Sequence, residues 1–424
     1  MLMRTVMFEL PPPAEQPPGS SEIELDRSLE WLPVETSKIL RRALEGSDLS
    51  AEELTTLFAL EGVASDALLA TAHFLRTQAV GQICTYIVNR NINFTNICYN
   101  HCHFCAYSRP RSSGEAFSLS ADEVLRLAKE AHELGATEVC IQAGLSPELD
   151  ASFYPRLCRI IRKSLADIHI HGCSPQEVVH WSREAGRTIR EYLSELKDSG
   201  LDSLPGTSAE ILDDGIRAII SPRRLSTQEW TQVIETAHLI GLPTTATIMY
   251  GHIERPLFRA RHLVHVRDLQ RRTGGFTEFV PLSLVADATD AQGRPVRLNR
   301  ALQITDVLKM HAIARLALQR DIPNIQVSWV KEGLETAKVC LRGGANDLGG
   351  TLMNESISSS AGATNGELKR PCELRAAIRA AGSVPAQRDT LYRILRRFDD
   401  PAEDPVDPLD NMSPGPPGHT ISPL

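Results

Sequence analysis

The sequence has no apolar run that approaches the roughly 18 residues of a membrane-spanning helix. It also lacks the basic start and apolar core that open a secretory signal peptide. Positive charge is not in excess either: the net charge of −8 argues against a nucleic-acid partner, because phosphate binding requires a concentrated basic surface. Basic pairs such as Arg223–Arg224 are therefore interpreted as solvated surface. We expect a cytoplasmic protein with neither a membrane nor a nucleic acid as its partner.

A cysteine pattern suited to disulfides is also absent, because the chain has nine cysteines, which is an odd number. Three of them lie in one short loop. The other six show no metal-ligand spacing and are interpreted as small buried hydrophobes in a reducing compartment. These six are Cys84, Cys140, Cys158, Cys173, Cys340 and Cys372.

Proline is concentrated near the two ends of a chain whose hydrophobic content of 42% and charged content of 23% are otherwise ordinary for a globular protein. The segment ELPPPAEQPPGS near the start and the segment DDPAEDPVDPLDNMSPGPPGHTISPL at the end cannot bury enough apolar surface to become ordered. The sequence thus predicts a disordered N-terminus (1–29), a helical extension (30–80), a barrel domain (81–395) and a disordered tail (396–424).

The middle of the chain alternates strand-like runs with helical patterns, which is typical of a parallel α/β barrel. Several helices are predicted to begin with capping boxes: Ser50 with Glu53, Ser120 with Glu123, Ser174 with Glu177, Thr207 with Glu210, and Ser226 with Glu229. Eight strands predict a (βα)8 TIM-like barrel with an N-terminal helical extension, in which chemistry gathers at the carboxyl ends of the strands. The predicted strands are 83–94, 137–142, 167–171, 201–204, 244–250, 276–282, 324–329 and 344–348.

Three cysteines follow the first predicted strand in a C-x3-C-x2-C spacing: Cys98, Cys102 and Cys105. A structural zinc normally needs four closed ligands. The nearby candidates His101 and His103 lie between the cysteines, where they cannot easily complete a tetrahedron. A 4Fe-4S cluster held by three cysteines instead keeps one iron open. The spacing therefore favours such a cluster, with zinc as the alternative.

An open iron can chelate the amino and carboxylate groups of S-adenosylmethionine (SAM) and pass one electron to its sulfonium. The resulting 5'-deoxyadenosyl radical abstracts hydrogen from substrates that acids and bases cannot activate, so the cofactor supplies the difficult chemistry. The loop after the second strand brings Gly144 close enough for backbone contact with SAM, although a plain glycine turn explains it equally well. Glu210 can hydrogen-bond the SAM ribose or simply cap a helix.

Polar side chains alternate along several predicted strands and are candidates for substrate contacts. His169 and His171 share one face of the third strand and suit a pyrimidine or a phenol, unless they are only satisfied histidines under a loop. Glu278 lies on the sixth strand, where an interior carboxylate needs a partner or a ligand. We take these three as candidate catalytic residues.

Five sequence blocks match one family in the expected order: NINFTNICYNHCHFCAYS, GLDSLPGTSAEILDD, GLPTTATIMYGH, TGGFTEFVPL and GANDLGGTLMNESIS. The chain thereby resembles the CofH-type radical SAM enzymes of deazaflavin biosynthesis, the 4-hydroxyphenyl transferases that form the second subunit of FO synthase. The resemblance implies that Phe104 lies near the adenine of SAM and that Tyr107 belongs to the same cofactor site. Three residues depart from the family pattern and concern local contacts: Ala143, Ser146 and Asn365.

The resemblance also implies a reaction and its partners. L-Tyrosine would lose its side chain as a 4-hydroxybenzyl radical that adds to 5-amino-6-(D-ribitylamino)uracil, while 2-iminoacetate leaves. A companion radical SAM subunit would close the deazaflavin ring, because the cysteine motif occurs once in this chain. A flavodoxin or ferredoxin would supply the electrons. Two alternatives are a menaquinone-pathway radical SAM enzyme that acts on a futalosine intermediate and a zinc-stabilised barrel that serves as a binding protein.

Overall fold

The N-terminal boundary differs from the prediction. The structure, a computed structural model, describes residues 20–100, 102–285 and 302–412, so the predicted disorder of residues 1–19 lies outside the described residues. The following residues form a helix, α1 (Ser20–Glu30), which corrects the predicted boundary at residue 29. The helix forms because Leu25 and Leu29, one turn apart, are both buried against the rest of the protein.

In the described part of the chain, which starts at residue 20, four helices precede the first strand and cover one side of the barrel, as the predicted helical extension requires. The third and fourth pack against the later helices Pro256–Thr273 and Ile304–Leu318. The predicted capping box of Ser50 and Glu53 is confirmed, with the Glu53 N–H donating to Ser50 Oγ at 3.2 Å. After α1, these helices are α2 (Val34–Leu44), α3 (Ala51–Phe58) and α4 (Gly62–Val80).

Parallel strands form a closed ring. Neighbouring strands pair within three sheets, as Asn91 does with Cys140 and Cys140 with His171. The ring closes where Thr85 pairs with Asp347, and the predicted α/β barrel is therefore confirmed. The strands are β1 (Ile83–Ile87), β2 (Asn89–Asn93), β3 (Glu138–Gln142), β4 (His169–Gly172), β5 (Thr244–Tyr250), β6 (Phe276–Ser283) and β7 (Asp347–Gly350).

Two predicted strands are reduced to isolated bridges. Residues 203–204 bridge β4 to β5, and residues 325–326 bridge β6 to β7. The first stops early because Pro205 cannot donate to a strand ladder, and the second because a helix begins at Trp329. With β1 and β2 counted as one continuous strand, the described residues still form the eight-membered ring that the sequence predicts.

A C-terminal hairpin that was not predicted closes the floor of the barrel. Its first strand runs parallel to β1 and its second antiparallel to the first. In the turn between them, the Thr390 hydroxyl donates to Glu138 at 2.7 Å and the Tyr392 hydroxyl donates to Glu278. These carboxylates lie near the amino ends of β3 and β6, so the turn fills the end opposite the cysteine loop. The two hairpin strands are β8 (Val384–Arg388) and β9 (Ile394–Arg397).

The segment after the hairpin is also ordered, which corrects the predicted disorder of residues 396–424 as far as residue 412. The side chain of Arg375 is 1% exposed and forms ion pairs with Asp404 (3.1 Å), Asp407 and Asp410 (3.3 Å). Carboxylates spread along a Pro-rich segment suggest solvated charge, but here they compensate one buried cation. The remainder of the predicted tail lies outside the described residues.

The remaining helices alternate with the strands and surround the ring. The predicted capping boxes that begin at Ser120, Ser174 and Ser226 are confirmed. No helix in the described part of the chain is both long and apolar enough to cross a bilayer. These helices are α5 (Ala121–Glu133), α6 (Phe153–Ser164), α7 (Pro175–Glu184), α8 (Ile189–Asp198), α9 (Asp214–Ile220), α10 (Thr227–Leu239), α11 (Pro256–Thr273), α12 (Ile304–Leu318), α13 (Trp329–Arg342), α14 (Ser356–Ser360) and α15 (Pro371–Ala380).

Deleting residues 400–424 should destabilise the protein, because it removes all three carboxylates that compensate Arg375. A buried cation that loses its partners costs about 3–5 kcal/mol, and we expect the free energy of unfolding in urea to fall by that order. The control Arg397→Ala, which removes an exposed pair with Asp399, should change it by less than about 1 kcal/mol. Equal stabilities of the truncated and full-length proteins would contradict the assignment.

Candidate active site

The cysteine loop leaves β2 at the open end of the barrel and is seated there by close backbone packing. The Cys98 N–H donates to the Arg109 carbonyl at 3.2 Å. Gly144 packs so tightly against this loop that a Cβ atom at its position would lie 2.3 Å from the Ile97 carbonyl oxygen. A side chain at position 144 would therefore displace the cysteines. This packing supports the structural interpretation of Gly144, and its contact with SAM stays a prediction.

The three cysteines surround one small space. Cys98, Cys102 and Cys105 line a cavity of about 50 Å³ together with Ala143 and Arg224. They supply three soft thiolate ligands, the donor set that holds a 4Fe-4S cluster with one open iron. The residues present therefore fit the cluster that the spacing predicts.

The zinc alternative is not supported by the described residues. Among them, no fourth Cys or His lines the small cavity with the three cysteines, although a closed structural zinc site needs four ligands. Of the two histidines considered as a fourth ligand, His103 is exposed and His101 lies outside the described residues.

Arg224 contacts the cysteine loop, although the sequence suggested solvated surface for the Arg223–Arg224 pair. Its Nε donates to the Cys102 sulfur at 3.1 Å, its Nη1 pairs with the Glu210 carboxylate, and its guanidinium lies 5.4 Å from the centre of the Phe104 ring. Burial raises the pKa of Cys102 to about 11, and the positive charge of Arg224 opposes that shift. The surface interpretation is wrong for Arg224; its place in a loop after α9, at the open end of the barrel, was the available signal.

Glu210 lies in a loop and not in the first turn of a helix. Its backbone φ is +40° and that of Ser208 is +68°, values that a right-handed helix cannot contain. The helix starts only at Asp214. The predicted capping box with Thr207 is therefore wrong, and the Glu210 carboxylate instead faces Arg224. A contact with the SAM ribose stays a prediction.

A larger cavity of about 410 Å³ extends from the cysteine loop down through the barrel. Asn91 Oδ1 and Asn93 Nδ2 are buried without a hydrogen-bond partner among the described residues. Buried polar atoms are normally satisfied, so these two indicate contact with a bound polar molecule. The polar lining of the strands comprises Asn89, Asn91, Asn93, Glu138, Cys140, Gln142, His171, Thr245, Gln326 and Ser328.

The cysteines outside the loop fall into two groups. All of them are free thiols. Cys140 lines the large cavity and Cys372 is partly exposed, so the interpretation as buried hydrophobes is wrong for these two. It is confirmed for the buried thiols Cys84, Cys158, Cys173 and Cys340.

The two histidines of β4 share one partner. His169 Nε2 and His171 Nδ1 each lie 2.7 Å from the Ser203 hydroxyl, which confirms that they occupy one face. Burial lowers the pKa of His171 to about 4 and also lowers that of His169, despite the opposing charge of Glu138. Both rings are therefore neutral at pH 7. His171 lines the cavity. His169 is linked to His171 through the Ser203 hydroxyl, which both rings contact.

Glu278 lies at the floor of the cavity. It is the third residue of the eight-residue β6, so roughly 16 Å of strand, at about 3.3 Å per residue, separates it from the open end. Its carboxylate accepts hydrogen bonds from Tyr392 and from Gln326 Nε2 (3.1 Å) and lies 3.5 Å from Arg388. Burial raises the pKa of Glu278 to about 7, and Arg388 opposes the shift. These contacts indicate that Glu278 helps to position the side chains at the floor of the cavity.

Comparisons with known proteins place the chain in a family. The radical SAM superfamily profile matches residues 92–256, and the CofH/MqnC C-terminal region matches residues 273–400. A protein of Archaeoglobus fulgidus named 5-amino-6-(D-ribitylamino)uracil--L-tyrosine 4-hydroxyphenyl transferase is 52% identical over 76% of this chain and 91% of its own length. The protein of that name from Methanothermobacter thermautotrophicus is 47% identical over 84% and 97%. The chain belongs to this family of radical SAM transferases.

Solved structures agree with the barrel fold. The FeFe-hydrogenase maturase HydG from Carboxydothermus hydrogenoformans aligns with a TM-score of 0.67 over 88% of this chain and 84% of its own, at 17% identity. Methylornithine synthase (PylB) aligns with a TM-score of 0.61 over 81% and 95%, at 18% identity. At such identities the likeness shows the fold alone.

Two aromatic residues of this transferase lie in the cysteine loop and face the large cavity. Phe104 and Tyr107 both line that cavity. Burial raises the pKa of Tyr107, and a hydrogen bond with Ser356 opposes that shift. The hydroxyl therefore stays protonated at neutral pH. The predicted roles of both residues in the cofactor site remain predictions.

Changing Cys98, Cys102 or Cys105 to alanine should abolish cluster binding, because a three-ligand set has no spare thiolate. Iron and sulfide analysis after anaerobic reconstitution should show loss of nearly all cluster iron in each variant. Cys372→Ala, which removes a partly exposed thiol outside the loop, is the matched control and should load normally. Normal loading of Cys102→Ala would refute the site.

Proposed function

We propose that this chain joins the 4-hydroxybenzyl group of L-tyrosine to 5-amino-6-(D-ribitylamino)uracil in deazaflavin (FO) biosynthesis. 2-Iminoacetate, 5'-deoxyadenosine and methionine are the other products. The observation that carries the proposal is the near-complete match to the Archaeoglobus transferase, at 52% identity. The three-cysteine loop, which opens on a deep polar cavity, supplies the site that such a reaction needs.

The cysteine loop of this chain would hold the cofactors. Cys98, Cys102 and Cys105 would bind a 4Fe-4S cluster, while Arg224 and Glu210 offer charged groups to SAM beside it. When bound, the cluster and SAM supply the radical chemistry that activates an unreactive substrate. Gly144, Phe104 and Tyr107 complete the wall on which SAM would lie.

The polar interior of the barrel would hold the acceptor. A ribitylaminouracil carries many neutral donors and acceptors, and the orphaned amide atoms of Asn91 and Asn93 match such groups. The neutral ring of His171 and the carboxylate of Glu278 both line this cavity and would orient the pyrimidine. Because the floor is closed by the β8–β9 hairpin, the barrel would shield a radical from water and stray thiols.

A companion protein should complete the pathway. FO synthase of Mycobacterium tuberculosis is 44% identical to 81% of this chain, but the match covers only 40% of that longer protein. The remainder would correspond to the companion radical SAM subunit that closes the deazaflavin ring. A cytoplasmic flavodoxin or ferredoxin would supply the electrons.

The proposal is tested with the reduced, cluster-loaded protein, SAM, L-tyrosine and the diaminouracil. We expect 5'-deoxyadenosine and a 4-hydroxybenzyl-pyrimidine adduct in equal amounts, with glyoxylate from hydrolysis of 2-iminoacetate. Omission of tyrosine should suppress the adduct, and no deazaflavin fluorescence should develop without the companion enzyme. Consumption of a dehypoxanthine futalosine in place of tyrosine would replace this proposal by the menaquinone alternative.

Glu278→Gln should uncouple the reaction. It keeps the shape of the side chain but removes the charge that faces Arg388, so the floor should orient the acceptor poorly. We expect the adduct formed per SAM cleaved to fall about tenfold, because small errors of position are costly in catalysis. Tyr392→Phe, which removes one hydrogen bond to Glu278, should show a smaller change in the same direction. An unchanged ratio in Glu278→Gln would leave Glu278 a purely structural residue.

A further inference from the structure

Three cationic side chains line the large cavity within the described residues: Arg224, Lys331 and Arg388. Two of them are committed to protein partners. Arg224 pairs with Glu210 and donates to the Cys102 sulfur, and Arg388 pairs with buried carboxylates at the floor. Lys331 alone makes no side-chain hydrogen bond or ion pair in the part of the chain that the structure describes. A buried cation without a direct ion pair or hydrogen bond is costly, which indicates a ligand.

Lys331 faces an opposite charge with which it does not pair. It lies at the start of α13, close enough to the cysteine loop to feel the charge of Cys105. Glu355, from the loop after β7, lines the same cavity and feels the charge of Lys331. The Glu355 carboxylate accepts only the Ser358 N–H, at 3.1 Å, among the described residues.

We propose that Lys331 and Glu355 bind the α-carboxylate and the α-ammonium group of the substrate amino acid. The inference rests on the proposed function, in which L-tyrosine is the donor. Of the two zwitterionic amino-acid ends in that reaction, the one belonging to SAM would bind the open iron of the cluster, and the diaminouracil carries no ionic group. The tyrosine head group is therefore the ligand that requires both a cation and an anion.

The position of the pair agrees with this ligand. Burial lowers the pKa of Lys331 and raises the pKa of Glu355, so each side chain gains from a counter-ion that a zwitterion brings into the cavity. Because Lys331 lies near Cys105, the charged head group of tyrosine would face the cysteine loop. The phenol would then point into the polar interior, where the acceptor would lie.

The test measures binding of three ligands to the cluster-loaded protein with SAM by calorimetry. L-Tyrosine carries both charges, tyramine lacks the carboxylate, and 3-(4-hydroxyphenyl)propionate lacks the ammonium group. We expect Lys331→Met to weaken the binding of tyrosine about 10–100-fold, as loss of a charged hydrogen bond would. The affinity for tyramine should change less than about threefold. Glu355→Gln should weaken the binding of tyrosine and tyramine but leave the affinity for the propionate nearly unchanged.

Lys338→Met is the matched control, since Lys338 lies on the same helix and pairs with Glu335 outside the cavity; it should bind all three ligands as the wild type does. Lys331→Arg should retain the preference for tyrosine over tyramine, and it serves as the second variant if Lys331→Met loads poorly with iron. Equal losses of tyrosine and tyramine in Lys331→Met would overturn this inference while the proposed function stands. Failure of the wild type to bind tyrosine would overturn both.

Discussion

The ion pairs of Arg388 at the floor of the barrel are the interaction on which the rest of the site depends. Its guanidinium donates to both carboxylate oxygens of Asp347, at 2.7 and 3.0 Å, and lies beside Glu278. Two buried carboxylates without this cation would cost several kcal/mol. Because Arg388 is the last residue of β8, the docked C-terminal hairpin supplies the cation that these two carboxylates need. The hairpin therefore allows these carboxylates to be buried at the floor of the polar cavity.

A closed floor leaves the ring open at one end only, and the cysteine loop occupies that end. Gly144 seats the loop, and Arg224 joins it to Glu210 on the neighbouring wall. The site thus has two parts with different chemistry: the cysteine loop and the Arg224–Glu210 pair at the mouth, and amides, hydroxyls and the ion pairs of Arg388 within. This division suits a reaction in which a radical formed at the mouth is consumed by a polar acceptor deeper in the barrel, away from water.

The sequence predicted what is encoded locally. The cysteine spacing, the capping box at Ser174 and the shared face of His169 and His171 are all properties of short segments, and the structure contains each of them. What could not be predicted depends on contacts between distant segments. Arg224 resembles a surface residue until the loop after α9 folds back over the barrel mouth. The acidic tail is likewise ordered only because buried Arg375 needs its three carboxylates.

We propose that three cysteines of this chain would hold a 4Fe-4S cluster and that SAM would bind its fourth iron. Electron–nuclear double resonance tests this on the reduced protein with SAM labelled by ¹⁵N in its amino group and ¹⁷O in its carboxylate. We expect hyperfine coupling from both labels, because both atoms would be ligands of the open iron. A cluster signal without coupling from either label would contradict it.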